Sequence, residues 1–147
     1  MDIQISARKR IPGLENRRIR QKLKKVLDDL GCHEGELSIL FTNDPHMAEL
    51  NSRYLGRSGP TNVLAFPMST EPHPGTSHGI LGDVVISTDT ALREAEETGE
   101  TPKETAYRLL IHGLLHLLGY DHEGSADEAR IMRQEEERLL ALMELPL

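Results

Sequence analysis

Along this chain the apolar positions switch repeatedly between a period of two and a helical period. Ile3 and Ile5 alternate with polar neighbours in Asp2–Ala7 and predict a short strand. Between Glu15 and Leu30, Ile19, Leu23, Val26, Leu27 and Leu30 recur at helical spacing, and Gly31 stops the helix they predict. Leu37, Ile39 and Phe41 alternate as a second strand. Asp44-Pro45 reads as an N-cap followed by proline in the first turn, opening a helix with Met47, Leu50 and Tyr54 turned inward. Thr61–Phe66 and Gly82–Ser87 are short, mostly apolar runs that predict two more strands. Between them PMSTEPHPGTSHG, residues 67–79, holds three prolines and two glycines and predicts a loop, with His73 and His78 facing solvent.

The C-terminal half is helical by pattern. Thr88–Thr98 ends at Gly99. Thr101-Pro102-Lys103-Glu104 has the form of a capping box with proline in the first turn, and the helix it opens runs to about Leu118, before Gly119. Ser125 and Glu128 open a terminal helix bearing Ala129, Met132, Leu139, Leu140 and Met143. The order β-α-β-α-β-β-α-α-α predicts one α+β domain over residues 1–147, a small mixed sheet packed by helices.

Composition changes this picture little, and charge changes it more. One cysteine, Cys32, cannot close an internal disulfide, and the N-terminal MDIQISARKR lacks the apolar centre of a signal peptide. No apolar run reaches the ~20 residues of a membrane span. The expected location is the cytoplasm, with no membrane partner. Net charge is −7, yet residues 1–25 hold nine of the 17 Lys and Arg against two of the 24 acids. Such segregation lets one basic face meet a polyanion such as RNA, although charge alone favours the plainer reading, a solvated helix face.

The candidate chemistry lies in HGLLHLLGYDH, from His112 to His122. Residues four apart on a helix share a face, so His112 and His116 can hold one ion side by side. Gly119 ends the helix and turns the chain, which can return His122 to the same ion. Three protein ligands leave a tetrahedral cation one open position, the arrangement of catalytic zinc. The plainer alternative is three histidines satisfied by hydrogen bonds. A closed structural zinc site would need a fourth ligand, for which Cys32 and Asp121 are poor candidates.

Helical zinc hydrolases of peptides carry a glutamate directly after the first histidine as general base; this chain has Gly113. Amide hydrolysis needs that base, whereas a metal that brings water to a pKa of about 7 can support phosphodiester cleavage without one. Asp83 and Asp121 are candidate outer-shell or acid–base partners of the histidines.

HGLLHLLGYDH, together with PTNVLAFP (Pro60 to Pro67) and LGDVVIS (Leu81 to Ser87), resembles the bacterial YbeY family of rRNA-maturation endoribonucleases. The likeness runs from about Leu37 to Met143. It implies a zinc-dependent, single-strand-specific endoribonuclease acting in 16S rRNA 3′-end maturation and ribosome quality control. The implied partners are RNA and the small ribosomal subunit, with no role on DNA. The implied fold is α+β with a mixed sheet of roughly four strands, and the implied ligands of one zinc per chain are His112, His116 and His122. Where the family usually reads Tyr-Arg, this chain has Tyr54-Leu55; Arg57 stands at a family lysine position and is the candidate RNA contact. Two other functions fit the residues: a ribosome-assembly binding factor with a mainly structural metal, and a zinc hydrolase of another substrate.

Overall fold

The computed structural model describes residues 1–68, 81–120 and 124–146. In chain order the elements are β1 (Asp2–Ala7), α1 (Asn16–Asp29), β2 (Glu36–Thr42), α2 (Asp44–Leu55), β3 (Val63–Pro67), β4 (Gly82–Ser87), α3 (Thr88–Thr98), α4 (Pro102–Leu117) and α5 (Ala126–Glu144). This is the predicted order. The loop expected over residues 67–79, with His73 and His78, lies outside the described residues beyond Met68.

The strands form one mixed sheet in the order β1-β2-β4-β3. β1 and β4 run parallel to β2, and β3 runs antiparallel to β4. Side chains alternate across a strand, so each strand feeds two faces. Ile3, Leu37, Ile39, Phe41, Val84 and Ile86 point into the main core with Ile19, Leu23, Val26 and Leu27 of α1 and the apolar residues of α4 and α5. The other face carries a smaller cluster, in which Met47 of α2 packs with Leu64 and Val85. Beside that cluster a depression of about 670 Å³ remains, lined by Gln4, Ser38, His46, Tyr54, Phe66 and Asp83 among others.

Helix ends follow the predicted signals, with one shift. Thr101 and Glu104 form the reciprocal capping box of α4. Ser125 Oγ accepts from Glu128 N at 3.0 Å to cap α5. At α2 the cap is Asn43, whose Oδ1 accepts from His46 N at 3.0 Å; Asp44 is the first helical residue. The Asp44 carboxylate is thereby released to tie neighbouring elements together. Its Oδ1 accepts from Ser87 Oγ at 2.6 Å and Thr90 Oγ1 at 2.7 Å, and its Oδ2 accepts from Arg93 at 2.7 Å. Asp89, paired with Lys9, accepts in turn from Asp44 N at 2.8 Å. Tyr54 also departs from expectation. It is 58% exposed, with Phe66 edge-on at 5.4 Å and Arg53 over its ring.

The basic N-terminal segment is only partly a surface. Lys22 is 7% exposed, its Nζ donating to Leu145 O at 2.7 Å, and burial lowers its pKa, with Lys103, Lys25 and Arg18 adding to the effect. Arg20 Nε donates to Ile3 O at 3.1 Å, so this side chain satisfies a carbonyl of edge strand β1. Arg17, Arg18 and Lys24 remain exposed on α1.

Burial alone would raise the Asp44 pKa, but its bonds from Ser87, Thr90 and Arg93 outweigh it and hold the pKa below the ordinary 3.8. A folded-state pKa below the unfolded value contributes stability above about pH 4 that is lost as pH falls through the folded pKa. Asp44→Ala should therefore destabilise the fold at pH 7 by about 1–3 kcal/mol, since the buried Ser87 hydroxyl and the half-buried Thr90 hydroxyl lose their acceptor. The deficit should shrink in acid; urea titrations at pH 7 and pH 3 check both points.

Candidate metal centre

α4 is buried on nearly every side. Ala106, Tyr107, Leu109, Leu110, Ile111, Leu114 and Leu115 are all in the core, and beyond the exposed first turn only Arg108, His112 and His116 form a half-exposed stripe. These three are spaced four apart, one turn each, so the helix presents one polar edge while the rest is enclosed.

Gly113 sets how closely α4 lies on the sheet. A Cβ at this position would stand 2.8 Å from Val84 Cγ1 and 3.2 Å from Val63 Cγ2. Those are stiff β-branched side chains of β4 and β3, and neither can step aside cheaply. A side chain on the residue after the first histidine would thus start against β3 and β4. A glutamate there would have to displace those valines, so the glycine is a packing requirement of this helix.

The C-terminal end of α4 is closed as Gly119 predicts. Gly119 has φ +95°, Gly119 N donates to His116 O at 3.1 Å, and Tyr120 N donates to Leu115 O at 3.0 Å. This pair of bonds is a Schellman cap, and Tyr120 folds back against the core beside Leu115. The chain therefore reverses directly below His116. Asp121 and His122 lie outside the described residues.

His112 Nε2 and His116 Nε2 approach to 3.0 Å, with the rings edge-on at 4.6 Å between centroids. His112 Nδ1 lies 2.6 Å from Glu136 Oε1 on α5. A carboxylate acceptor favours Nδ1 as the protonated nitrogen, which leaves the Nε2 lone pair directed toward His116. Two borderline-soft nitrogens converging on one point suit a divalent ion such as zinc. Among the described residues, no further His, Cys, Asp or Glu joins the pair in a metal-binding group of three. Cys32 is fully buried in the core, where burial raises its thiol pKa.

Both imidazoles line a cleft of about 660 Å³ along edge strand β3, with Arg57, Leu55, Thr61 and Asn62 on its walls. The expected RNA contact, Arg57, thus shares the cleft with the histidines. Asn62 is held by Glu94, which accepts from Asn62 Nδ2 at 2.8 Å and from Arg108 at 3.1 Å. Burial would lower the Arg108 pKa, yet hydrogen bonds to Glu100 and Glu94 keep it raised. Asp83 does not share the cleft. Its strand neighbour Val84 faces Gly113, so Asp83 faces the opposite side of the sheet, where it lines the depression beside α2. The residue that sequence reading missed is Glu136, which is far from the histidine motif in sequence.

Fold and cleft together define a class: a small α+β domain whose central helix offers a histidine pair to a polar cleft at the sheet edge. A family model described as Endoribonuclease YbeY matches residues 4–144. The chain is 40% identical over 144 residues to the endoribonuclease YbeY of Syntrophus aciditrophicus, covering 97% of this chain and 90% of that relative. It is 41% identical over 145 residues to that of Geobacter sulfurreducens, covering 98% and 97% respectively. The chain belongs to the endoribonuclease YbeY family. Among solved structures, a Thermotoga maritima protein determined in solution is similar in fold, with a TM-score of 0.69 at 22% identity over 96% of this chain and 88% of that one.

Gly113→Ala should destabilise the protein by about 1–3 kcal/mol through overpacking against Val84 and Val63. Gly113→Glu should fail to fold rather than acquire a catalytic base. Denaturant unfolding of the first variant and circular dichroism of the second check the packing role.

Proposed function

We propose that this protein is a zinc-dependent endoribonuclease that cleaves single-stranded RNA in 16S rRNA 3′-end maturation and ribosome quality control, in the cytoplasm and in contact with the small ribosomal subunit. The observation that carries the reading is the 3.0 Å approach of two imidazole nitrogens inside a polar cleft, in a chain of an endoribonuclease family. His112 and His116, joined by His122 from beyond the Gly119 turn, would hold one zinc per chain. When bound, the ion supplies Lewis acidity toward water and charge neutralisation at phosphoryl oxygens.

The chain's own residues set what reaches the site. Arg57, exposed on the cleft wall, offers a guanidinium to a backbone phosphate. Thr61 and Asn62 bring polar groups to the same wall, and the Glu94–Arg108 pair anchors Asn62 from behind. Gly113 supplies no base, which disfavours peptide hydrolysis. The exposed Arg17, Arg18 and Lys24 sit on α1, which packs against the β1 edge of the sheet, remote in the strand order from the cleft on β3. They fit a sequence-independent contact with the rRNA backbone. A second reading, a ribosome-assembly binding factor with little turnover, is favoured by Leu55, which lies on the cleft wall at the family's arginine position and is 48% exposed.

Purified protein should contain about one zinc per chain and cut single-stranded RNA. His116→Ala should lose the metal and reduce cleavage more than about 100-fold, beyond the range of outer-shell changes. Arg57→Ala should weaken RNA binding while zinc content stays unchanged. Metal analysis beside a cleavage assay with a chelator control checks this; zinc-loaded protein that binds RNA without cutting it would favour the second reading.

Replacing Arg17, Arg18 and Lys24 together by Gln should lower RNA affinity and flatten its salt dependence, because fewer counterions are released. Lys22 is excluded from this variant because it is buried. Binding titrations at several salt concentrations provide the measurement, and an unchanged slope would mark α1 as a solvated face only.

A further inference from the structure

The inward face of α5 runs through Met132, Leu139 and Met143, all buried in the main core. Their spacing admits one more position on the same stripe, four after Met132 and three before Leu139. That position is Glu136. A carboxylate on the packed stripe of an amphipathic helix loses solvation and needs a partner to be tolerated there. Its side chain is 29% exposed, and the partner is His112 Nδ1 at 2.6 Å.

We infer that Glu136 is a positioning residue of the metal centre, holding the His112 ring through Nδ1–H so that Nε2 keeps its lone pair for the ion. The inference rests on His112 and His116 being metal ligands, as proposed above. An imidazole can carry its single proton on either nitrogen and can rotate about χ2. A carboxylate on Nδ1 fixes both choices at once, because it accepts only from a protonated Nδ1 and only in one ring orientation. Nδ1 and Nε2 lie on different edges of the ring, so Glu136 stands behind His112 as seen from His116 and is not itself a ligand. The sheet holds α4 from one side through Gly113, and Glu136 holds His112 from the other. The docking of α5 on α4 is thereby a part of the site.

The test uses the full chain as wild type, Glu136→Ala, Glu136→Gln and His116→Ala. Zinc affinity is measured by competition with a chromophoric chelator, metal-free stability by thermal melting, and the His112 tautomer in metal-free protein by nitrogen-15 NMR. Glu136→Ala should weaken zinc binding about 10–100-fold and mix the His112 tautomers. Glu136→Gln should recover part of the affinity, because its amide oxygen still accepts from Nδ1–H. The absorption spectrum of saturating cobalt should keep its shape in both Glu136 variants, since the ligand set is unchanged.

A wild type that binds no zinc overturns the ligand reading, and this inference with it. Zinc binding that is lost in His116→Ala but untouched in Glu136→Ala overturns the positioning role alone. A lower metal-free melting temperature with wild-type zinc affinity would likewise reduce Glu136 to a structural ion pair. A cobalt spectrum altered in Glu136→Ala and Glu136→Gln alike would make Glu136 a direct ligand and overturn the inference too.

Discussion

The constraint on which the site depends is the contact of α4 with the sheet at Gly113. With no Cβ there, the helix backbone settles onto Val84 and Val63 at a distance that a Cβ would force apart. A helix lowered this far buries almost its whole circumference, and the one strip left out is the one that carries Arg108, His112 and His116. Helical period then dictates the rest: residues four apart leave the core on one line, so a single packing decision aims two imidazoles into the same cleft. The residue that stands where a catalytic base would be expected is thus a close-packing position of the helix that carries the histidines.

Around that contact the sheet divides labour between its faces. The α4 face is a continuous apolar core, filled by α1, α4 and α5, and it fixes the floor of the site. The other face is covered only in part by α2, leaving Asp83, Ser38 and Gln4 beside an open depression. Because side chains alternate along β4, the pair Asp83 and Val84 is split between the two environments, one residue to each. The edge strand β3 links the two regions, with Phe66 lining the depression and Ala65 and Pro67 lining the histidine cleft.

Polar networks hold the periphery where apolar packing ends. Asp44 joins the start of α2 to the start of α3, and Glu94 joins α3 to α4 and to the residue before β3. Each is a carboxylate with several donors, the kind of buried or half-buried acid that is stable only when its partners are present. Charge segregation has a similar double nature. Lys9, Arg20 and Lys22 serve the fold, while Arg17, Arg18 and Lys24 are left for solvent or a polyanion, a division that a count of positive charges cannot reveal.

Periodicity and capping residues alone determined the element order, the mixed sheet, the helix that bears His112 and His116, and the turn at Gly119. These are local properties: two and 3.6 residues per repeat, a hydroxyl or amide at a cap, and a glycine able to adopt positive φ. The cap of α2 falls one residue earlier than expected because Asn43 and Asp44 can each cap, and Asp44 is drawn away by Ser87 and Thr90, partners more than 40 positions later. Tyr54 stays exposed although it meets Phe66, because the sheet face under α2 is only partly covered. The sense of Gly113, the separation of Asp83 from the histidines and the arrival of Glu136 at His112 were likewise decided by tertiary structure. Each depends on which side of a strand or helix meets an element distant in sequence, and no local repeat encodes that distance.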